Sequence, residues 1–242
     1  MKIALIGYGK MGKAIESLLQ NYPDLQIVAR YNSQNAHELT IENLRKADLA
    51  IEFTRPELAP NHLELCLAAG IPVVCGTTAW TQQHGERLRM AFKEQGGSLL
   101  WASNFSIGVA IFTETARRLA ALMAKQGTAY QLEITEIHHT QKLDAPSGTA
   151  ISLAQAIMDS DPHKTAWEAN PTDNPAHIGI VSVREAAVKG THHICYDSEH
   201  DSITLSHIAH SRNGFAQGVI TAALWLYGKK GVFGIDDVLA EM

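Results

Sequence analysis

The chain has 242 residues, of which 45% are hydrophobic and 19% charged, and it carries a formal net charge of −5. That balance excludes a disordered chain and leaves room for one large domain or two small ones. Mild acidity gives nucleic acid or an anionic membrane no electrostatic foothold, so an anionic ligand must be held by local cations and backbone amides.

Three scattered cysteines, Cys66, Cys75 and Cys195, lack metal-ligand spacing and suit a reducing compartment. No apolar run is long enough to span a bilayer, and Met1-Lys2 leads straight into a strand-like run with no signal-peptide pattern. A cytoplasmic location is expected.

In chain order, short apolar runs predict strands at Ile3–Ile6, Leu25–Ala29, Leu49–Phe53, Val73–Cys75 and Leu99–Trp101. Between them the pattern predicts helices at Met11–Gln20, Ile41–Arg45, Ala59–Ala69 and Gln82–Gln95. Strands and helices alternating at this spacing imply right-handed crossovers and a parallel sheet covered on both faces. A longer helix is expected over Ile107–Ala124. Strands then follow with few helices between them, at Tyr130–Ile137, Gly179–Arg184, His192–Tyr196 and Ser202–His207, which suits a mixed sheet. One helix, Gly148–Met158, interrupts them. Asp159–His177 reads as a long mobile loop, and Ala216–Tyr227 as a last helix before a short apolar tail.

Gly7-Tyr8-Gly9-Lys10-Met11-Gly12 fits G-x-G-x-x-G between the first strand and the first helix. The first glycine allows the turn, the second lets a pyrophosphate approach, and the third lets helix and strand pack closely. The helix N-terminus then receives phosphate charge. Arg30-Tyr31-Asn32 stands where an NAD site usually places an acid, so Arg30 is expected to favour a 2′-phosphate, with NADPH used at least as well as NADH. Ligands lie outside the carboxyl ends of a parallel sheet. Phe53-Thr54-Arg55, Gly76-Thr77-Thr78 and Ala102-Ser103-Asn104-Phe105 occupy such ends and complete the expected cofactor contacts.

Residues 136–150 pack His138, His139, Lys142 and a helix start at Ser147-Gly148-Thr149 into one short segment. The helix start and the ammonium suit a carboxylate, and a histidine can donate a proton near neutral pH. No metal is expected, because no acidic or cysteine partner stands at ligand spacing. Ser147 lacks the G-x-S-x-G setting of a hydrolytic nucleophile. On these residues alone a helix cap with a structural histidine pair stays open beside the catalytic reading.

His138-His139, Lys142 and Asp144-Ala145-Pro146-Ser147-Gly148-Thr149-Ala150 resemble the H-H-x-x-K-x-D-A-P-S-G-T-A signature of the 4-hydroxy-tetrahydrodipicolinate reductase (dihydrodipicolinate reductase) family. Ile51–Glu57, Cys75-Gly76-Thr77-Thr78, residues 104–109 and Phe215-Ala216-Gln217-Gly218 follow in that family's order. The resemblance implies an α/β protein with a Rossmann-type parallel-sheet domain, residues 1–105 with 214–242. It also implies an α+β substrate and tetramerisation domain with a mixed sheet, residues 106–213. It implies reduction of 4-hydroxy-tetrahydrodipicolinate by NADPH or NADH with loss of water, His138 as general acid/base, Lys142 as proton donor, and His139, Gly148 and Thr149 on a small dicarboxylate substrate. A homotetramer is implied too.

The sequence departs from the family in a shorter glycine loop, Glu52 in place of the usual Asp, Ala79-Trp80 after Gly-Thr-Thr, and a partial R-x-G-x-x-x-G-x-H pattern around Arg184. Closure about a hinge at Asn104–Ser106 and Arg212–Gly214 is expected. The alternatives are another two-domain NAD(P)-dependent dehydrogenase of amino-acid metabolism and a non-catalytic nucleotide-sensing protein.

Overall fold

A computed structural model describes residues 1–211 and 213–242; Arg212, expected in a hinge, lies outside the described residues. The chain divides into two compact units, Met1–Ile107 with Asn213–Met242, and Gly108–Arg212.

The first unit begins with β1 (Lys2–Ile6), α1 (Lys10–Leu19), β2 (Gln26–Tyr31), α2 (Ile41–Leu44), β3 (Leu49–Glu52), α3 (Ala59–Ala69), β4 (Val73–Cys75), α4 (Thr81–Glu94) and β5 (Ser98–Trp101). All of its strands pair in parallel, and the sheet runs β2-β1-β3-β4-β5 before a sixth strand described below. Period-2 alternation sends Ile3, Leu5, Ile51 and Leu100 to one face and Ala4, Ile6, Ala50 and Leu99 to the other. Both sets are buried, which is why these strands read as unbroken apolar runs. Local chemistry sets the helix ends. Thr40 caps α2 by accepting from the Asn43 amide at 3.2 Å, and α3 stops at Gly70, whose φ is +76°.

The second unit holds α5 (Ile107–Met123, whose first residue belongs to the first unit), β6 (Gln131–His138), α6 (Gly148–Met158), β7 (Ala166–Glu168), β8 (His177–Arg184), β9 (Thr191–Asp197) and β10 (Ser202–Ile208). Its sheet runs β10-β9-β6-β8-β7, antiparallel across the first two pairings and parallel across the last two. Leu132 and Ile134 of β6, Ile178 and Ile180 of β8, and Ile194 and Tyr196 of β9 share one core with Phe112 and Ala116 of α5 and Leu153 and Ile157 of α6.

The first unit is completed by α7 (Asn213–Leu226), β11 (Gly231–Phe233) and α8 (Ile235–Ala240). β11 pairs in parallel with β5 and ends the sheet. Ala216, Val219, Ile220, Ala223 and Leu226 of α7 join the core against β4, β5 and α1, with Val74 and Leu100. A Cβ at Gly218 would lie 1.6 Å from the Phe105 carbonyl oxygen, so only glycine lets α7 approach that loop.

Three elements correct the sequence reading. The apolar tail is a strand and a helix; the Asp237 carboxylate accepts from the Gly234 amide at 2.7 Å to start α8. The stretch Asp159–His177 carries β7 and is anchored by buried Asp161 and by Lys164, whose Nζ donates to the Pro175 carbonyl at 2.7 Å. No described helix is long and apolar enough to cross a membrane.

Candidate active site

In the first unit, the C-terminal ends of β1, β2 and β3 open onto a cleft of about 520 Å³ lined by Gly7, Tyr8, Gly9, Tyr31, Asn32, Ser33, Phe53, Thr54 and Arg55, with Leu58 and His62 of the following segment. Gly7 has φ +96°, and a Cβ there would stand 2.0 Å from the Phe53 carbonyl oxygen. At Gly12 a Cβ would stand 2.6 Å from the Gly7 carbonyl oxygen, while at Gly9 nothing lies within 4 Å. The loop is therefore tight where backbone meets backbone and open where a ligand would come. α1 starts here without a side-chain cap and with no acid in its first turn, so its amides remain for an anion. These features fit a dinucleotide pyrophosphate.

The other expected cofactor residues do not line this cleft. Lys10, Met11 and Gly12 form the first turn of α1. A Cβ at Gly76 would strike the Phe53 ring at 2.0 Å. Thr77 is buried; its hydroxyl donates to Glu52 at 2.6 Å and accepts from the Thr54 amide at 2.8 Å, while its carbonyl accepts from the indoles of Trp80 and Trp101. It positions the β3 and β4 loops. Thr78 and Ser103 are exposed, and Ala102 and Phe105 are buried. Asn104 accepts from the Ser106 amide at 2.8 Å. Arg30 is paired with Glu16 of α1.

Beneath the cleft lies a polar network that sequence reading missed. Glu52 is fully buried and accepts from Thr77, from Thr54 and from Cys75 Sγ at 3.2 Å, and its Oε1 lies 3.2 Å from His62 Nδ1.

In the second unit, alternation along β6 places Leu132, Ile134, Glu136 and His138 on the face that packs against α6. The apolar row turns polar at Glu136, whose cross-strand neighbours are Ser182 of β8 and His192 of β9. His138 pairs with Arg184 in register. The carboxylate of Glu136 is inaccessible to solvent, yet it lies against three potential donors. His138 Nδ1 stands 2.5 Å from Oε2, both terminal nitrogens of Arg184 donate to Oε1 at 3.1 Å, and the Ser147 amide donates to Oε1 at 3.3 Å.

Burial alone would raise the Glu136 pKa; polar neighbours His138, Ser182 and Ser147 outweigh it and hold the carboxyl well below its usual range. With Nδ1 turned to this carboxylate, Nε2 of His138 is left on the other side, where a Cβ at Gly190 (φ +154°) would press at 3.3 Å. His192 packs edge-on to His138 with ring centroids 5.2 Å apart. Burial first, and then the nearby His138, push His192 down to about 4, so it is neutral at pH 7.

Ser147 caps α6, its Oγ accepting from the Ala150 amide at 3.2 Å. Gly148 is exposed, with no atom within 4 Å of a would-be Cβ, and Thr149 is half-buried beside it. Lys142 Nζ donates to the Asp144 carboxylate at 2.7 and 2.8 Å, and that hydrogen bond lowers the Asp144 pKa. Arg184 also donates to the Lys142 and Asp144 carbonyls, at 3.3 and 2.6 Å, and so staples the loop to Glu136. His139 stands just past β6, its Nδ1 buried without a hydrogen-bond partner among the described residues.

The expectation that no acid lies near the histidines is corrected by this geometry. Potential ligand atoms of Glu136, His138 and His192 lie within 4.8 Å of one another. The Arg184 guanidinium already takes the Oε1 side, and a fixed cation there opposes a second one.

A glycine-cradled cleft on a doubly wound sheet, with a carboxylate-held histidine in a second unit, defines a nicotinamide-dependent oxidoreductase. Residues 1–105 match the model described as dihydrodipicolinate reductase, N-terminus, and residues 108–239 match that for its C-terminus. The chain is 41% identical over 244 residues to a 4-hydroxy-tetrahydrodipicolinate reductase of Christiangramia forsetii, covering 100% of this chain and 99% of the relative. It is 35% identical over 236 residues to the reductase of that name from Rickettsia bellii, covering 95% and 90%. A dipicolinate-bound dihydrodipicolinate reductase from Paenisporosarcina sp. TG-14 superposes with a TM-score of 0.80 at 26% identity, covering 98% of each chain. The chain belongs to the dihydrodipicolinate reductase family, and it is a reductase that uses NADH or NADPH.

Proposed function

We propose that this chain reduces 4-hydroxy-tetrahydrodipicolinate to tetrahydrodipicolinate with loss of water, a step of lysine and diaminopimelate biosynthesis, as a cytoplasmic homotetramer. The single observation that carries the site assignment is the pairing of His138 with buried Glu136 beside the capped start of α6.

The cofactor, when bound, supplies a hydride; Gly7, Tyr8, Gly9 and the first turn of α1 hold its pyrophosphate, and the ends of β2 and β3 its adenosine side. The second unit binds substrate and makes the subunit contacts. Lys142 and the amides of Gly148 and Thr149 hold a substrate carboxylate, each charge-assisted bond contributing about 1.5–3 kcal/mol, with His139 beside them. For Lys142 this means exchanging the Asp144 carboxylate for that of the substrate, at little cost because Asp144 is largely exposed.

His138 handles the proton. Glu136 beside Nδ1 fixes the tautomer and stabilises the imidazolium, leaving Nε2 as the atom that gives or takes a proton, a role worth about 10²–10⁴-fold in rate.

Cofactor absorbance followed with freshly prepared substrate tests the activity; absence of turnover refutes it. Lys142→Ala should lower kcat by about 10²-fold while leaving NADH affinity unchanged, and near-normal turnover would remove Lys142 from the scheme. A sedimentation mass of a monomer or dimer would refute the tetramer.

A further inference from the structure

Arg30 lies near the C-terminal end of β2, one residue before the cleft-lining run Tyr31-Asn32-Ser33, yet it does not line the cleft itself. Its guanidinium is turned to α1, where Nε donates to Glu16 Oε1 at 2.9 Å and Nη2 reaches the same oxygen. The other oxygen of Glu16 accepts from the phenol of Tyr8, which is part of the glycine loop and of the cleft wall. Lys13 Nζ stands 5.9 Å from the centroid of the Tyr8 ring. One carboxylate thus ties the glycine loop to the end of β2, the two walls between which an adenosine ribose sits in such folds. The mutual hydrogen bond depresses the Glu16 carboxyl and raises the Arg30 guanidinium, so both stay charged across the working pH range.

Asn32 and Ser33 are neutral. The cleft wall after β2 therefore has neither the acid that grips a ribose diol nor a charge that repels a 2′-phosphate, and Arg30 is the cation at this strand end. We infer that Glu16 is the residue that sets cofactor discrimination, by competing with the 2′-phosphate of NADPH for the Arg30 guanidinium. While Glu16 holds Arg30, the phosphate must displace a charge-assisted pair to reach it, and NADPH loses most of the advantage that a free arginine would give. NADH makes no such demand. This inference rests on reading the cleft as the adenosine end of the dinucleotide site.

Equilibrium binding of NADPH, NADH, 2′,5′-ADP and 5′-AMP, measured by calorimetry, tests it without turnover. Glu16→Gln, which keeps the side chain's size and removes its charge, should tighten NADPH and 2′,5′-ADP by about tenfold, the worth of one charge-assisted bond. NADH and 5′-AMP should change less than twofold. In an Arg30→Gln background the same substitution should change nothing, since coupling requires both partners. Equal weakening of all four probes by Glu16→Gln would make Glu16 a mere prop for the glycine loop and overturn the inference, as would no change at all. Failure of the unaltered protein to bind NADH or 5′-AMP would instead strike the underlying reading of the cleft.

Discussion

Replacing Glu136 by Gln tests the centre of the proposed chemistry, because the change keeps the shape of the side chain and removes only its charge. Two bonds from Arg184 at 3.1 Å would become charge–neutral, each losing about 1 kcal/mol, and the contact with His138 about 1 kcal/mol more. The sum, about 3 kcal/mol, corresponds to a fall in melting temperature of about 6–12 °C for a chain of this size. The loss must also depend on pH. The native pKa of Glu136 lies below its unfolded value of 4.5, so its stabilisation is complete above that value and is lost as pH falls through it toward the native one. The gap between the two proteins in urea midpoint should therefore be full at pH 7 and shrink below pH 4.5.

The effect on catalysis is separate. An amide that keeps its oxygen on Arg184 turns its NH₂ toward Nδ1, which forces the proton of His138 onto Nε2 and destabilises the imidazolium. kcat should fall by about 10²-fold, while NADH affinity stays the same. A variant with the stability gap equal at pH 3 and pH 7, or with unchanged kcat, would refute the reasoning.

His192 is held neutral in the fold with its pKa lowered from 6.5 to about 4. Stability should fall as pH drops from 6.5 toward 4, by about 3 kcal/mol in all, and His192→Gln should flatten that part of the curve in denaturant titrations; an unaltered slope would contradict the assignment. Gly218→Ala places a methyl 1.6 Å from the Phe105 carbonyl oxygen, so α7 must shift. A loss of about 3 kcal/mol is expected, read as a lower urea midpoint with an unchanged m-value, and a neutral effect would refute the close approach.

The strand and helix order of the first unit was legible because each element buries both faces or one stripe, and burial writes a pattern. β7 and β11 were not. Each is three residues long, and what defines them is a pairing with β8 or β5, a long-range fact that three residues cannot signal. The site shows the same divide. His138, Lys142 and the α6 start stood out as one polar cluster from residue type and spacing, and as a candidate site only through the family resemblance. Glu136 was in plain view two residues before His138, on the same face of a strand, and that period-2 spacing was the signal. What spacing could not give was Arg184, brought across the parallel β6–β8 pairing, or His192, brought across the antiparallel β6–β9 one. Thr77 and Arg30 show the converse. Their place at strand ends was right, but the acids that engage them, Glu52 and Glu16, sit on other elements.

The sheet of the first unit takes its sixth strand and one of its core helices from residues 213–242. A ribosome making this chain therefore finishes the sequence of the second unit before the first can close. Until α7 emerges, the surface formed by Val74 of β4 and Leu100 of β5 stays wet and adhesive. Expressing residues 1–105 alone would freeze that unfinished stage, and such a fragment should collect as insoluble material that co-expressed residues 213–242 partly rescue.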